Sequence, residues 1–412
     1  MADIVPAHVL EPASKSSVGR RDSIHPLADG GAERRSDAPR TRLRRTRRVA
    51  FMGVIIVLIS TLGLVRVLLW WSPGTSEPFL DATGHRIPGS ISQKLSVPIN
   101  GVEQGMVIRG KDASNPILLW VHGGPGMPDY PLTQQYPPGV EDLFTVVWWD
   151  QRGAALSYHS DIPPETMTIE QLIDDTLAVT DYLRRRFHQD RIYILGHSWG
   201  SFIALQAAAR SPERYKAYLG MAQVVHQLES EKIAYDYMLA AYRERGDTEM
   251  VRKLEAAPVT MTGGTPDAYL KVRDAAMHKL GVGTTHEMES VITGIFLESW
   301  RFRGYTLQEK VNLWRGRAFS QSFGLWDQLI RVDLRTTVPA LQIPVYFLAG
   351  KFDYTAATSL ARNYFQLIQA PRKGYYEFDN SAHSPLLEEP QEGRRILEQD
   401  VLAGTTALAD LR

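Results

Sequence analysis

The sequence predicts an α/β fold with a mainly parallel sheet, a helical insertion and one membrane-spanning helix at the N-terminal side. Three observations carry this prediction. Short apolar runs alternate with segments of helical period between about residues 95 and 395, the strand pattern stops between residues 224 and 341, and an uncharged apolar stretch precedes both regions. Strands that alternate with helices typically form a parallel sheet covered on both faces.

Composition narrows the classes of function. The 412 residues can bury a large core, and the absence of cysteine excludes disulfides, thiolate metal sites and a cysteine nucleophile. The formal net charge is zero, and the basic excess lies within residues 1–48, so no nucleic-acid surface is expected on the remaining chain. Histidine clusters at metal-ligand spacing and phosphate-binding glycine loops are absent, so we expect neither a metal nor an organic cofactor.

The N-terminal region predicts a tail followed by a membrane anchor. Residues 1–48 are rich in Pro, Ser, Ala, Gly and Arg without apolar periodicity, which predicts a disordered tail. Residues 49–71 would span roughly 34 Å as a helix, enough to cross a bilayer core of about 30 Å. Arginines crowd just before this stretch, which predicts a cytoplasmic N-terminus and an extracytoplasmic domain after Trp71. The bilayer is therefore an expected partner of residues 49–71.

Two other interpretations of the apolar stretch remain open. A cleaved signal peptide needs a small-x-small cleavage site, which residues 69–74 do not offer. Residues 46–52 loosely resemble a twin-arginine export signal, with the spacing off by one. A buried core helix would not be preceded by an arginine cluster. The pattern favours a single-pass signal-anchor over both alternatives.

The rest of the chain divides into four segments. We expect a linker over residues 72–94, the first part of the α/β core over 95–223, a helical lid over 224–341 and the second part of the core over 342–412. The predicted strands cover residues 95–99, 105–109, 116–122, 144–150, 191–195, 215–221, 343–350 and 374–378. The predicted helices cover residues 168–187, 201–210, 231–245 and 266–279.

The pentapeptide Gly196-His197-Ser198-Trp199-Gly200 lies between a predicted strand and a predicted helix. A Gly-x-Ser-x-Gly at such a turn holds the serine hydroxyl exposed as a nucleophile. A side chain two positions before or after the serine would collide with neighbouring backbone, which explains the glycines. An ordinary glycine-rich turn is the alternative, and the flanking strand and helix favour Ser198 as the nucleophile.

A serine nucleophile requires a histidine as base and an acid that orients the histidine. In this order of elements the acid and then the histidine follow later strands. Asp353 follows the strand over 343–350, and His383 lies in the loop after the strand over 374–378. Asp379 is the competing acid, but it is still at the end of that strand, so Asp353 is favoured.

An oxyanion hole requires backbone N–H groups directed at the developing negative charge. The amide of Trp199, directly after the serine, is one expected donor. The second donor is expected in His122-Gly-Gly-Pro-Gly126, which directly follows a predicted strand. Gly124 is the leading candidate there and Gly123 the second.

Taken together, these motifs resemble the proline iminopeptidase family of the α/β-hydrolase superfamily. The resemblance rests on His122-Gly-Gly-Pro-Gly126, Asp150-Gln-Arg-Gly153, the Ser198 pentapeptide and the pair Asp353 and His383. It implies the α/β-hydrolase fold and release of an N-terminal residue, typically proline, through an acyl-enzyme. It also implies that Ser198 is the nucleophile, His383 the general base and acid, and Asp353 the orienting acid, whereas Asp150 and Arg152 are structural.

Substrate selection is predicted to depend on the lid. Peptide-cleaving members of that family hold the free ammonium of the substrate with lid carboxylates, and a buried cation requires a paired anion. The candidates here are Glu287, Glu289 and Glu298, with Asp129 near the oxyanion loop, although none matches a family motif.

Three functions follow from these observations. The first is an anchored aminopeptidase that acts on small peptides. The second is an esterase or amidase that uses the same triad on a small apolar substrate. The third is a non-catalytic tethered binding protein. Converging lid carboxylates would favour the first function, and an uninterrupted apolar cavity would favour the second.

Overall fold

The computed structural model describes residues 38–412, with side chains from residue 47 onward. Contacts divide the chain into a unit that ends at Gly63 and a unit that begins at Leu64. Helix α1, Ala38–Trp70, contains the segment Arg47–Trp70, which is long and apolar enough to cross a membrane, with a mean hydropathy of 2.5. This helix agrees with the predicted N-terminal apolar helix.

The structure differs from the predicted tail in one part. Residues 1–37 lie outside the described residues, but residues 38–48 are helical, because α1 begins at Ala38. Arginine is a good helix former, and extending an existing helix costs far less than nucleating a new one. The arginine-rich segment therefore continues the apolar helix toward the N-terminus.

The second unit is built on an eight-stranded, mostly parallel sheet, which confirms the predicted fold class. In chain order the strands are β1 Ile91–Ile99, β2 Val102–Gly110, β3 Ile117–Val121, β4 Thr145–Trp149, β5 Ile192–His197, β6 Tyr215–Met221, β7 Val345–Gly350 and β8 Lys373–Phe378. Their order in the sheet is β1-β2-β4-β3-β5-β6-β7-β8. Strand β2 pairs antiparallel with both β1 and β4, and the pairs from β4 to β8 are parallel.

Strands β1 and β2 form a hairpin, and the residues of its turn explain why it forms. Asn100 and Gly101 both adopt positive φ, at 45° and 80°, as a two-residue turn between right-twisted strands requires. Strand β1 begins at Ile91 rather than at residue 95, because Ile91 still pairs with Gly110 of β2. The last residues of the predicted linker therefore belong to the sheet.

The helices that follow α1 cover both faces of the sheet and form the lid. They are α2 Tyr130–Gln135, α3 Ile169–Arg186, α4 Trp199–Arg210, α5 Gln227–Glu244, α6 Thr248–Glu255, α7 Asp267–Lys279, α8 Leu297–Arg301, α9 Leu307–Gln321, α10 Leu325–Leu329, α11 Leu334–Thr337, α12 Thr358–Leu367, α13 Pro385–Glu388 and α14 Pro390–Ile396. One-turn 3-10 helices lie at Ala155–Ser157, Pro164–Thr166 and Pro212–Arg214, and π-helices lie at Ile292–Phe296 and Leu397–Leu402.

Alternate residues of each central strand face different layers of the core. In β5, Ile192 and Ile194 join the cluster formed with α3, α4 and α12, whereas Tyr193 and Leu195 join the cluster formed with α13 and α14. Both faces of the strand are thus apolar, which explains why β5 is a continuous apolar run in the sequence.

The segment between β6 and β7 is helical and contains α5 to α11. Its first three helices have a core of their own, which includes Tyr235, Met238, Leu254, Tyr269 and Met277. The predicted helices over 231–245 and 266–279 correspond to α5 and α7 with small shifts of their ends. A lid with its own core packs as a unit, so it can carry side chains at defined positions over the sheet.

Candidate active site

The site lies where the parallel strands β3, β5, β7 and β8 end. The carboxyl ends of parallel strands lie at one edge of the sheet, and the loops that follow them meet there. These loops carry the oxyanion loop after β3, Ser198 after β5, Asp353 after β7 and His383 after β8.

The turn at Ser198 leaves no room for side chains at its glycines. Ser198 has φ 53° and ψ −122°, in the left-handed region that non-glycine residues rarely adopt. A Cβ atom on Gly196 would lie 2.4 Å from the carbonyl oxygen of Gly200, and one on Gly200 would lie 1.9 Å from the carbonyl oxygen of Val121. Glycine is therefore required at both positions for the turn to close against β3.

The predicted base and acid are in contact. The Nδ1 atom of His383 lies 2.9 Å from Oδ2 and 3.0 Å from Oδ1 of Asp353. The Asp353 carboxylate also accepts hydrogen bonds from the N–H groups of Thr355 and Ala356, so its orientation is fixed. The competing acid Asp379 is exposed and forms an ion pair with Lys351 at 2.8 Å, facing away from the histidine. The structure thus brings Asp353, and not Asp379, to His383.

Ser198 and His383 border the same cavity. Among the side chains described, residues 47–412, the Ser198 hydroxyl makes no hydrogen bond, so the serine–histidine bond of a closed triad is not formed in this structure. Catalytic hydrogen bonds of this kind often tighten only when a substrate is bound.

The loop that carries two of the predicted oxyanion donors, Gly123 and Gly124, lies against the serine. A Cβ on Gly123 would lie 3.3 Å from the Cβ of Ser198, so this loop approaches the serine closely. Gly124 adopts φ 127°, which requires glycine. In the described part of the chain, the amides of Gly124 and Trp199 have no hydrogen-bond acceptor. Unpaired N–H groups next to a serine that lines a cavity are what an oxyanion hole needs.

A side-chain network fixes the oxyanion loop to the serine turn. Gln151 donates to the carbonyl of His122 at 2.8 Å and accepts from the indole N–H of Trp199 at 2.9 Å. The Nε2 atom of His122 accepts the amide N–H of Gln151, so Nδ1 carries the proton and donates to the carbonyl of Gly123. Burial lowers the pKa of His122, which is consistent with this neutral form.

A buried ion pair that the sequence did not predict supports the histidine loop. The Nδ1 atom of His197 lies 2.9 Å from the carboxylate of Asp129, and its Nε2 donates to the carbonyl of His383 at 3.0 Å. Both ring nitrogens face acceptors, so the imidazole is protonated. Burial opposes that charge, but Asp129 outweighs it and raises the pKa of His197. Asp129 is therefore already paired and is not available to a substrate amine.

Glu388 holds the same loop from the other side. One of its carboxylate oxygens accepts the N–H groups of Ala382 at 3.0 Å and Ser384 at 3.1 Å, the two neighbours of His383. Its other oxygen accepts the N–H of His286 in the lid at 2.5 Å. The position of His383 is thus coupled to the lid, which no local sequence pattern indicated.

Asp150 and Arg152 lie beside the site and are buried, in keeping with the structural role implied by the resemblance. Arg152 forms a bidentate ion pair with Asp175, at 2.7 and 3.0 Å. Asp150 accepts the N–H of Leu156 at 3.0 Å and the hydroxyl of Tyr305 in the lid at 3.2 Å.

The cavity above the serine has a volume of about 420 Å³. Part of its wall is apolar and is formed by Met277, Val291, Ile295, Phe302 and Leu313. Of the three predicted lid carboxylates, only Glu298 lines the cavity, whereas Glu287 and Glu289 are exposed outside it. Asp274, which the sequence analysis did not single out, is the second lid carboxylate in the wall.

Comparisons with known proteins identify the family of this chain. Residues 116–390 match the family model described as alpha/beta hydrolase fold. The chain is 33% identical over 305 residues to a Bacillus subtilis (strain 168) protein named "Probable aminopeptidase YbaC", covering 73% of this chain and 93% of that protein. It is 25% identical over 325 residues to a proline iminopeptidase of Heyndrickxia coagulans, covering 77% of this chain and 95% of that protein.

A solved structure shares the fold. The proline iminopeptidase of Mycobacterium smegmatis superposes with a TM-score of 0.54 at 18% identity, covering 76% of this chain and 98% of that one. The family model and the two relatives named above confirm the resemblance inferred from the motifs, and this structure adds the shared fold.

Proposed function

The chain belongs to the alpha/beta hydrolase fold family, and on that premise we propose that it is a membrane-anchored serine hydrolase of the proline iminopeptidase type. It releases a proline-like N-terminal residue from small peptides through an acyl-enzyme. The observation that carries this proposal is the Asp353–His383 pair, at 2.9 Å, whose histidine lines one cavity together with Ser198 and with Gly124, the residue with an unpaired amide.

In the proposed reaction, His383 takes the proton of the Ser198 hydroxyl as the oxygen attacks the carbonyl carbon of the substrate. The amides of Gly124, or Gly123, and Trp199 stabilise the negative charge that develops on the carbonyl oxygen. His383 then gives its proton to the leaving amine, and the acyl group remains on Ser198. Water, deprotonated by the same histidine, attacks the ester and releases the N-terminal residue.

The imidazolium that forms during this reaction needs a fixed negative partner. Asp353 accepts from Nδ1 of His383, so the proton-accepting Nε2 is directed away from the acid and toward the cavity. His197 and Glu388 restrain the backbone of the same loop. We infer that these two are positioning residues, since neither would touch the reacting atoms.

For the substrate amine we propose Glu298 as the leading partner. It lines the cavity with about a third of its side chain exposed, and its present partner, Arg301, is an exposed arginine three residues along the chain at 2.6 Å. An ammonium group could replace that partner at small cost, because exposed ion pairs contribute only about 0.2–1 kcal/mol. Glu287 and Glu289 are less favoured, since they lie outside the cavity wall.

An esterase or amidase that acts on a small apolar substrate is the alternative. The apolar part of the wall favours it, as does the fact that every carboxylate in the wall already has a cationic partner. The two functions share the triad and differ in whether a free amine improves turnover.

We further propose that α1 is a single-pass anchor, with the N-terminus in the cytoplasm and the catalytic unit on the extracytoplasmic side. The support is the apolar segment Arg47–Trp70 and the arginine cluster that precedes it.

The first test is a substrate panel on the detergent-solubilised full chain. We expect proline, alanine and leucine arylamides to be hydrolysed, with the proline arylamide fastest. Acetylation of the substrate amine should reduce kcat/KM at least tenfold. Faster hydrolysis of a short-chain aryl ester, with no effect of a free amine, would support the alternative.

The Ser198→Ala variant is the matched control for this panel. We expect it to lose both turnover and labelling by a fluorophosphonate probe, because the probe reacts with an activated serine. Unlabelled wild-type protein that is folded would contradict both enzymatic functions.

A further inference from the structure

The wall of the cavity is unusually rich in arginine. Four arginines line it: Arg273 on α7, Arg301 at the end of α8, Arg303 just after α8, and Arg317 on α9. A cavity built only to hold a substrate ammonium group would not be expected to collect cations, because like charges repel.

The positive charges of two of the four arginines are balanced by carboxylates. Arg273 binds the buried carboxylate of Glu231 at 2.6 Å and that of Asp274 at 3.0 Å. Arg301 binds Glu298 at 2.6 Å. Asp129, the remaining carboxylate in the wall, is bound to His197. The carboxylates that line the cavity are therefore all paired.

The other two arginines have no carboxylate partner in the described part of the chain. The guanidinium carbon of Arg317 lies 5.6 Å from the ring centroid of Trp314, and that of Arg303 lies 5.6 Å from the ring centroid of Trp70. An aromatic face orients a guanidinium group but carries no net charge, so both positive charges remain.

Arg317 lines the same cavity as Ser198 and His383. Leu313, Arg317 and Gln321 follow one another at four-residue spacing on the cavity face of α9. The same helix packs on the oxyanion loop, because a Cβ on Gly126 would lie 2.5 Å from Oγ of Ser320 and 3.2 Å from the carbonyl oxygen of Gly316. Arg317 therefore lies in the cavity wall on the helix that contacts the oxyanion loop.

We propose that Arg317, assisted by Arg303, binds the C-terminal carboxylate of a short peptide substrate. This inference rests on the proposed aminopeptidase function and specifies its substrates as dipeptides and tripeptides with a free C-terminus. In a dipeptide the carboxylate lies only about one residue, roughly 3.5 Å, beyond the bond that is cleaved. Arginine suits this role because its planar fork of N–H donors matches a carboxylate.

The experiment compares a peptide with its own C-terminal amide. The full chain in detergent is given prolyl-alanine and prolyl-alaninamide, which differ only in the negative charge. We expect kcat/KM to be at least tenfold higher for the free acid. Arg317→Gln should remove most of that preference by lowering kcat/KM for the acid while leaving the amide almost unchanged. Retained turnover of the amide also shows that the variant is folded.

Arg315→Gln is the matched control. Arg315 lies on the same helix, is exposed, and places its guanidinium carbon 5.1 Å from the ring centroid of Tyr158, outside the cavity wall. We expect this variant to keep the wild-type preference. Arg303→Gln should weaken the preference less than Arg317→Gln does, because Arg303 is more exposed.

Two results would overturn the inference while leaving the proposed function intact. One is equal turnover of acid and amide by the wild type, and the other is an equal loss of both substrates in Arg317→Gln. If wild-type protein hydrolyses neither these two substrates nor the prolyl arylamide, the proposed aminopeptidase function itself fails, and the inference fails with it.

Discussion

At the scale of single residues, the candidate site depends on groups whose charge is set by burial and by one partner. His197 is protonated because Asp129 is beside it, whereas His122 is neutral because its Nε2 must accept an N–H. Both histidines are buried within hydrogen-bond reach of the loops that carry the predicted catalytic groups. Residue type alone does not distinguish a protonated histidine from a neutral one. The neighbouring groups in the structure decide which form each histidine takes.

Asp150 provides a test of stability against pH. Burial raises the pKa of its carboxyl to about 8, so the folded chain keeps a proton that the unfolded chain loses near the ordinary value of 3.8. Between these pH values the unfolded state binds fewer protons, so the free energy of unfolding falls as pH rises and levels off above about pH 8. An asparagine side chain cannot titrate, and Asp150→Asn should therefore gain Tm relative to the wild type between pH 5 and pH 8.5.

The measurement is thermal unfolding of the full chain in detergent at several pH values. Asp379→Asn is the control, because Asp379 is exposed and should give a difference from wild type that depends little on pH. A Tm difference between Asp150→Asn and wild type that does not change across this range would contradict the assignment of a protonated Asp150.

At the scale of elements, the contact between β5, α4 and the end of β3 determines whether the serine turn can form. Gly200 is the first-turn residue of α4 that lies against the backbone of Val121. Alanine is normally the better helix former, by about 1 kcal/mol over glycine. Here a Cβ would lie 1.9 Å from a carbonyl oxygen, so the steric effect should exceed the gain in helix propensity.

We therefore expect Gly200→Ala to destabilise the chain by about 1–3 kcal/mol and to lower Ser198 labelling strongly, because α4 must move away from β3. Gln206→Ala, farther along the same helix and only partly buried, is the control and should change both quantities little. Tm and the rate of fluorophosphonate labelling are the measurements. An unaltered labelling rate in Gly200→Ala would contradict this prediction, because it would show that the serine turn tolerates the movement of α4 away from β3.

The lid acts at the same scale. It contributes Arg273, Glu298 and Arg317 to the cavity, and its residue Gly283 accepts the amide N–H of His383 at 3.3 Å. The segment that follows α1 is also tied to the lid, because Lys310 donates to the carbonyl of Trp71 and the N–H of Gly74 donates to the carbonyl of Arg303. The lid thus joins the cavity wall, the histidine loop and the segment that follows α1.

At the scale of the whole molecule, the arrangement in the membrane can be tested by protease protection. In right-side-out vesicles, added protease should remove the Ser198 labelling, whereas inverted vesicles should protect it, since the proposed topology places the catalytic unit outside. Replacing the arginines of residues 40–48 by glutamine should produce a mixed orientation, because it removes the charge asymmetry.

Alkaline extraction separates the anchor from a cleaved signal. An intact anchor keeps the chain in the membrane pellet at full length, whereas cleavage after the apolar segment releases a shorter chain into the supernatant. The second result, or protection in right-side-out vesicles, would contradict the proposed topology.

The sequence by itself determined the parts of this protein that depend on neighbours along the chain. Apolar runs, helical periods and turn residues predicted the strands and a mainly parallel α/β sheet, and the glycines around Ser198 predicted the sharp turn. The motifs that resemble proline iminopeptidases implied the α/β-hydrolase fold. These signals are local, because backbone conformation and burial period are set within a few residues. The same locality allowed Asp353 and His383 to be named in advance, since each follows a recognisable strand.

Only the tertiary structure decided which charges meet. It paired Asp129 with His197, placed Glu298 but not Glu287 or Glu289 in the cavity wall, and left Arg317 there without a carboxylate partner in residues 38–412. Such pairings join residues far apart in sequence, and a carboxylate on a lid helix has the same local pattern whether it faces solvent or substrate. Charge pairing acts through space, so the set of charged side chains in the cavity wall is fixed only when the lid is folded over the sheet.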